Sequence, residues 1–195
     1  MSRTGADALV AQLRAEHVEV IFGLPGIQLM HALDALQRDG AIRFITTRHE
    51  QATTYMADGY ARSSGRAGTA LVVPGPGVYN ACAGLATAYA CSSPVILLAG
   101  QIEQHGLGKG LCLTHEIDDQ LDVVRPITKS AERVLSADEE RMPLVDRALA
   151  LSRVDDRRLQ QLGNGQELGR GVAENDTATG DDQRVRRPGE QFRGA

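Results

Sequence analysis

"AGTALVVPGPGVYNACAGLATAYACSSPVILLAGQI", residues 67–102, holds no charged side chain. A run this long could cross a bilayer, which takes about 20 consecutive apolar residues. Pro-Gly-Pro-Gly at 74–77 and Ser-Ser-Pro at 92–94 break it first. Proline removes a backbone donor and glycine admits turn conformations, so both stretches end regular elements. What remains is a strand over 69–73, a helix over about 78–90 and a strand over 95–99, each too short to span. Strands this apolar, with no polar alternation, are covered on both faces, as at the centre of a parallel α/β sheet.

The same alternation continues outward. Ala6, Leu9, Val10 and Leu13 recur at helical spacing and predict a helix over 4–16. "VEVIF" (18–22) reads as a strand, "GLPG" (23–26) as its turn, and Leu29, Met30, Leu33 and Leu36 as one face of a second helix. "IRFIT" (42–46) is a strand, followed by a helix from about 51 to 62. Residues 101–115 form a Gly-rich loop, and "RPITK" (125–129) reads as a short strand or its approach. "SADEERMPLVDRALALS" (136–152) begins with acidic residues and continues with apolar ones, as a helix start does. The predicted fold is α/β, a parallel sheet with helices on both faces and a site at the carboxyl ends of the strands.

Composition narrows the function. A net charge of -4 and a pI near 5.7 give no basic field for nucleic acid. The charged amphipathic N-terminus has no signal-type apolar core, so neither export nor a membrane is expected and the location read is cytoplasmic. Cys82, Cys91 and Cys112 form no CxxC and no zinc pattern with the five His residues, which predicts reduced, buried thiols. Residues 153–195 carry eight Arg and eight acidic residues with few large apolar side chains. Such a stretch offsets little of its ordering entropy, so a domain over 1–152 and a disordered polar tail over 153–195 are expected.

Two features lie where such a sheet carries its chemistry. Gly75, Pro76 and Gly77 join a buried strand to a helix start, where bare backbone and free N–H groups can meet a ligand. The dinucleotide pattern fails at its sixth position, Asn80, no acidic residue follows at the required distance, and no GK[ST] of a P-loop occurs. An unrelated nucleotide-binding protein is therefore the remote alternative. The second feature is Glu50, one acid between the 42–46 strand and the following helix. At a helix start it complements the dipole. Burial would raise its pKa and the dipole would oppose that shift, and the residues alone leave the balance open.

"VIFGLPG", "RHEQATTYMADGYARSSGRAG", "VVPGPGVYNACAGLATAYA", "PVILLAGQ" and "RPITK" stand in the order and spacing of thiamine-diphosphate enzymes. Over residues 3–152 the chain resembles the N-terminal pyrimidine-binding domain of the acetolactate synthase group. That resemblance implies thiamine diphosphate as cofactor, bound by its pyrimidine half. It implies that Glu50 is the catalytic acid that hydrogen-bonds the pyrimidine nitrogen and favours its imino tautomer, which removes the thiazolium proton. It implies cofactor contacts from Pro25 and Gly26 on one side and from Val73, Pro76 and Asn80 on the other. Where the family has a Ser or Thr-Ser pair before Gly-Pro-Gly, this chain has Val73 and Pro74, so backbone contacts survive and a hydroxyl contact does not.

Other departures shape the expected activity. Thr114, His115 and Glu116 replace the Phe-Gln-Glu usual in acetolactate synthases, which points to a carboligase or decarboxylase of other substrate. His115 reads either as a substrate contact or as a structural histidine. The family holds Mg²⁺ and the diphosphate with a GDG motif on a second domain, and no GDG occurs in these 195 residues. Mg²⁺ then enters only through that domain or a partner chain, and no useful activity is expected of the chain alone. The helix carrying Ala52, Tyr55, Met56 and Gly59 lies at a dimer interface in the family, which implies a homodimer or a partner chain bearing the diphosphate-binding domain. Departure from the family at about Arg153 reads as a truncation that omits the last strand. The alternative is a stand-alone subunit of a split enzyme.

Overall fold

The computed structural model describes residues 4–134, and within them four short strands pair in parallel. β1 (Val20–Gly23), β2 (Arg43–Thr46), β3 (Gly68–Val72) and β4 (Val95–Ala99) stand in the order β2-β1-β3-β4. Val20 to Gly23 register with Arg43 to Thr46, and Phe22 and Gly23 with Ala70 and Leu71. Gly68 to Val72 register with Val95 to Ala99. The chain leaves β1 in one direction to form β2 and returns on its other side to form β3. The connections therefore diverge at the carboxyl ends of β1 and β3, the place where open parallel sheets bind ligands.

Successive strand side chains point to opposite faces, and both sets here are apolar. Ile21, Leu71, Val73 and Ile96 share a core with Val10 and Leu13 of α1 (Gly5–Ala15) and Ala35 and Leu36 of α2 (Met30–Asp39). On the other face Val20, Phe22 and Ala70 cluster with Ala57 of α3 (Glu50–Ser64). Val72 clusters with Val78, Ala81 and Leu85 of α4 (Pro76–Ala90) and Val124 of α5 (Gln120–Val124). Helices thus cover both faces, and β1 and β3 are buried throughout.

The helix ends follow from their residues. Thr4 caps α1 in a reciprocal box with Asp7. The Thr4 hydroxyl and, after it, the Arg38 guanidinium hold the Asp7 carboxyl well below the usual carboxylate range. α2 stops at Gly40 and α3 at Gly65, both in the left-handed region. α4 begins two residues earlier than its apolar spacing predicts, because Pro76 has its φ already set for a first helical turn and no N–H to leave unpaired.

Three expectations are corrected. Of the two readings of "RPITK", the strand is overturned: Arg125–Ile127 form one turn of 3-10 helix with Pro126 inside it, following on from α5, and a strand approached by it would lie outside the described residues. The helix α5 itself was not anticipated, since five residues are too few for a periodic pattern. The cysteines are free, but Cys82 and Cys91 are half-buried and Cys112 is exposed. The predicted helix over 136–152, the missing last strand and the 153–195 tail lie outside the described residues.

α3 and α4 pack closely on one another. Thr54 Oγ1 donates to the Ala81 carbonyl across the contact at 2.8 Å. A methyl built on Gly84 would fall 2.3 Å from Thr54 Oγ1 and 2.7 Å from the Tyr55 nitrogen. Backbone cannot yield as a side chain does, so Gly84→Val should cost about 1–3 kcal/mol despite the better helix propensity of valine. Chemical denaturation checks this, and wild-type stability in the variant would mean that the helices stand farther apart.

Candidate functional site

Glu50 is the first residue of α3, capped by His49, whose Nδ1 accepts from the Gln51 amide at 3.2 Å. The link from β2 is pinned as well. Thr47 N donates to the Gly23 carbonyl at 2.9 Å, and Thr47 Oγ1 donates to the His49 carbonyl at 3.1 Å. These bonds aim α3 across the carboxyl end of β1. The Glu50 side chain is buried, at 9% exposure.

Its surroundings are unusual for an acid. Asn80 Nδ2 donates to Glu50 Oε2 at 3.0 Å, and among the described residues no cation pairs with the carboxylate. Asp58, buried two turns along α3, is different: Arg62 pairs with it at 2.8 Å. A buried charge usually has a counter-charge or a full set of hydrogen bonds. Asp58 has the former, whereas Glu50 has one neutral amide and a second oxygen, Oε1, facing the α4 start. A methyl built on Gly77 would lie 3.7 Å from that oxygen and 2.6 Å from Val73 Cγ2.

The two predicted turns meet over Val73. A methyl on Gly26 would fall 2.2 Å from Val73 Cγ1, so Gly26 and Gly77 approach the same side chain from opposite sides. The structure therefore brings together Gly26, Glu50, Val73 and Asn80 of the residues singled out in the sequence, and adds Gly77. Pro25 and Pro76 are exposed at the two turns and are not enclosed with the carboxylate.

Gly75 occupies φ +58, and a methyl there would also meet the His115 carbonyl oxygen at 2.3 Å. The segment around His115 thus lies against the Gly-Pro-Gly turn. His115 Nδ1 is buried without a hydrogen bond, and Gln28 holds the segment by donating to the Thr114 carbonyl at 3.1 Å. Sequence reading missed Thr47, His49, Gln28 and Gln120. Thr47 and His49 flank Glu50 and carry a capping signal; Gln28 and Gln120 act across the fold and carry none. Among the described residues no group of three metal-ligating side chains could hold an ion, and no helix is long and apolar enough to cross a membrane.

A double-mutant cycle with Glu50→Ala and Asn80→Ala should give a coupling of about 1 kcal/mol in denaturation experiments, the size of a partly exposed charge-assisted bond. Additive effects would mean that the Asn80 bond is absent in solution.

Comparison with known proteins gives the chain's family. A family model described as thiamine pyrophosphate enzyme, N-terminal TPP binding domain, matches residues 3–125. The acetolactate synthase large subunit of Haemophilus influenzae is 40% identical over 136 residues, 70% of this chain and 23% of that protein. A probable acetolactate synthase large subunit of Methanocaldococcus jannaschii is 44% identical over 135 residues, 69% of this chain and 22% of that one. A probable 2-ketoarginine decarboxylase of Pseudomonas aeruginosa is 40% identical over 149 residues, 76% of this chain and 26% of that one. The chain thus spans about a quarter of the length of these curated relatives. It belongs to the thiamine pyrophosphate enzyme family, matching that family's N-terminal domain.

Proposed function

We propose that this chain holds the aminopyrimidine half of thiamine diphosphate (the pyrophosphate of the family name), with Glu50 as its catalytic acid. The observation that carries the reading is a buried carboxylate with no counter-charge among the described residues and one oxygen turned toward the bare Cα of Gly77 beside Val73. Those residues fit the group. Glu50 Oε1 supplies a hydrogen-bond partner for a ring nitrogen, Val73 supplies an apolar wall, and the bare Cα atoms of Gly26 and Gly77 let both turns close on that wall. The bound cofactor supplies the carbanion chemistry that 2-oxo acid decarboxylases and carboligases require. The chain's own part is to orient the ring through Gly26, Val73 and Gly77, with Pro25 and Pro76 at the rims, and to share a proton at Glu50. Asn80 keeps the carboxylate aimed by occupying its other oxygen.

The reaction class follows from two kinds of relative, synthases and a decarboxylase. Since the chain spans about a quarter of their length and carries no GDG motif, Mg²⁺ and the diphosphate are held by a segment outside these residues or by a partner chain. The chain alone is then inactive, whether as a fragment or as one subunit of a split enzyme. A partner also suits the α3–α4 surface. Tyr55 and Met56 on α3 and Tyr79 on α4 are 43%, 39% and 56% exposed, and Gly59 faces open space. These side chains are not consumed by packing within the chain, which favours a homodimer or a partner subunit there.

Calorimetry with thiamine diphosphate and Mg²⁺ tests the site. Glu50→Gln should weaken binding about 10- to 100-fold, the worth of a hydrogen bond to a charged group, while thermal stability changes little. Equal affinity in the variant would sink the assignment. Met56→Asp should shift sedimentation toward monomer at concentrations where the unmodified chain associates; unchanged association would place the contact elsewhere.

A further inference from the structure

Gln120, the first residue of α5, is buried at 9% exposure, and both ends of its amide are used. Its Oε1 accepts from the Gly75 amide at 3.1 Å, and its Nε2 donates to the Gly100 carbonyl at 3.0 Å. Gly100, directly after β4, donates in turn to the Val72 carbonyl at 2.9 Å. The bonds close a ring from the end of β3, through the end of β4 and the Gln120 side chain, to the turn that begins α4. Gly75 is the N-cap of α4 and has no side chain to cap it, so its N–H would otherwise be an unpaired donor at a buried turn.

The clamp is itself held in place. Asp119 caps α5 by accepting from the Leu121 and Asp122 amides at 2.8 and 3.4 Å, which fixes where Gln120 leaves the backbone. Val124 docks α5 onto Val72, Val78, Ala81 and Leu85, the side chains that seat α4 on the sheet. The His115 carbonyl, lying where a Gly75 side chain would be, closes the turn from its remaining side. Gly77 and Asn80 follow Gly75 by two and five residues on one rigid helix, so a shift at Gly75 becomes a shift of both relative to Glu50.

We propose that Gln120 is a positioning residue for the cofactor site, acting through the Gly75 amide to set Gly77 and Asn80 against the Glu50 carboxylate. This rests on the pyrimidine-site reading given above. The acceptor end of the amide matters most, because it alone touches the turn that carries site residues.

The test is a titration of the ¹⁵N-labelled full chain with 4-amino-5-hydroxymethyl-2-methylpyrimidine, followed at the Gly75, Gly77 and Asn80 amides. Gln120→Leu, which removes both bonds at similar volume, should weaken binding about tenfold and speed hydrogen exchange at Gly75. Gln120→Glu keeps the acceptor for Gly75; compared with wild type at pH 5, where the buried acid is neutral and its hydroxyl donates to Gly100, it should bind within about threefold. Wild-type affinity in a folded Gln120→Leu overturns the proposal, and so does a Gln120→Glu loss as large as that of Gln120→Leu. If Gln120→Leu does not fold, Gln120→Glu decides alone: retained binding supports the role, and a tenfold loss overturns it. Glu50→Gln in the same titration separates the two claims. If it too binds like wild type, the pyrimidine site is wrong; if it alone weakens binding, only the Gln120 role falls.

Discussion

The close approach of α3 to α4 governs the rest of the site. Both helices begin at the carboxyl end of the sheet, and each contributes one half of the Glu50–Asn80 pair. Their separation is set where neither half is present, at the Thr54 bond to the Ala81 carbonyl and at the bare Cα of Gly84. Were the helices a normal side chain apart, the Asn80 amide would not reach and the buried carboxylate would face an uncompensated desolvation cost. Small residues at this contact therefore act on the electrostatics of a group one helical turn away.

The sheet order adds a second constraint. Because β2 and β3 lie on either side of β1, the chain segments after β1, β2 and β3 rise next to one another. Gly26, Glu50 and Val73 are far apart in sequence, yet the topology delivers them to one crevice without any long loop. Chain reversal at β1 sets the two turns on either side of Val73, and bare Cα atoms at Gly26 and Gly77 let them close on it.

Much of this was legible in the sequence. The charge-free 67–102 run announced two buried strands and the helix between them, because burial on both faces removes every polar alternation. Glu50 stood out as one acid at a strand-to-helix junction, and resemblance supplied its partner positions on the neighbouring turn. What escaped notice depends on contacts far along the chain. Gln120 looks like any surface glutamine until α5 is seen docked through Val124. "RPITK" has the β-branched residues of a strand, but no sheet position waits for it among the described residues, and Pro126 favours a turn. The cysteines were expected inside on the strength of residue type, and type does not say which side of a helix meets water.

The ring of bonds through Gln120 has a consequence for how the domain matures on the ribosome. Gly26, Glu50, Val73 and Asn80 all precede it in the chain, Asn80 by forty residues. During N-to-C synthesis the crevice can be assembled in outline well before the residue that steadies its α4 wall has left the exit tunnel. For that interval the Gly75 amide has only water to bond, and the nascent domain has its shape before it has its rigidity.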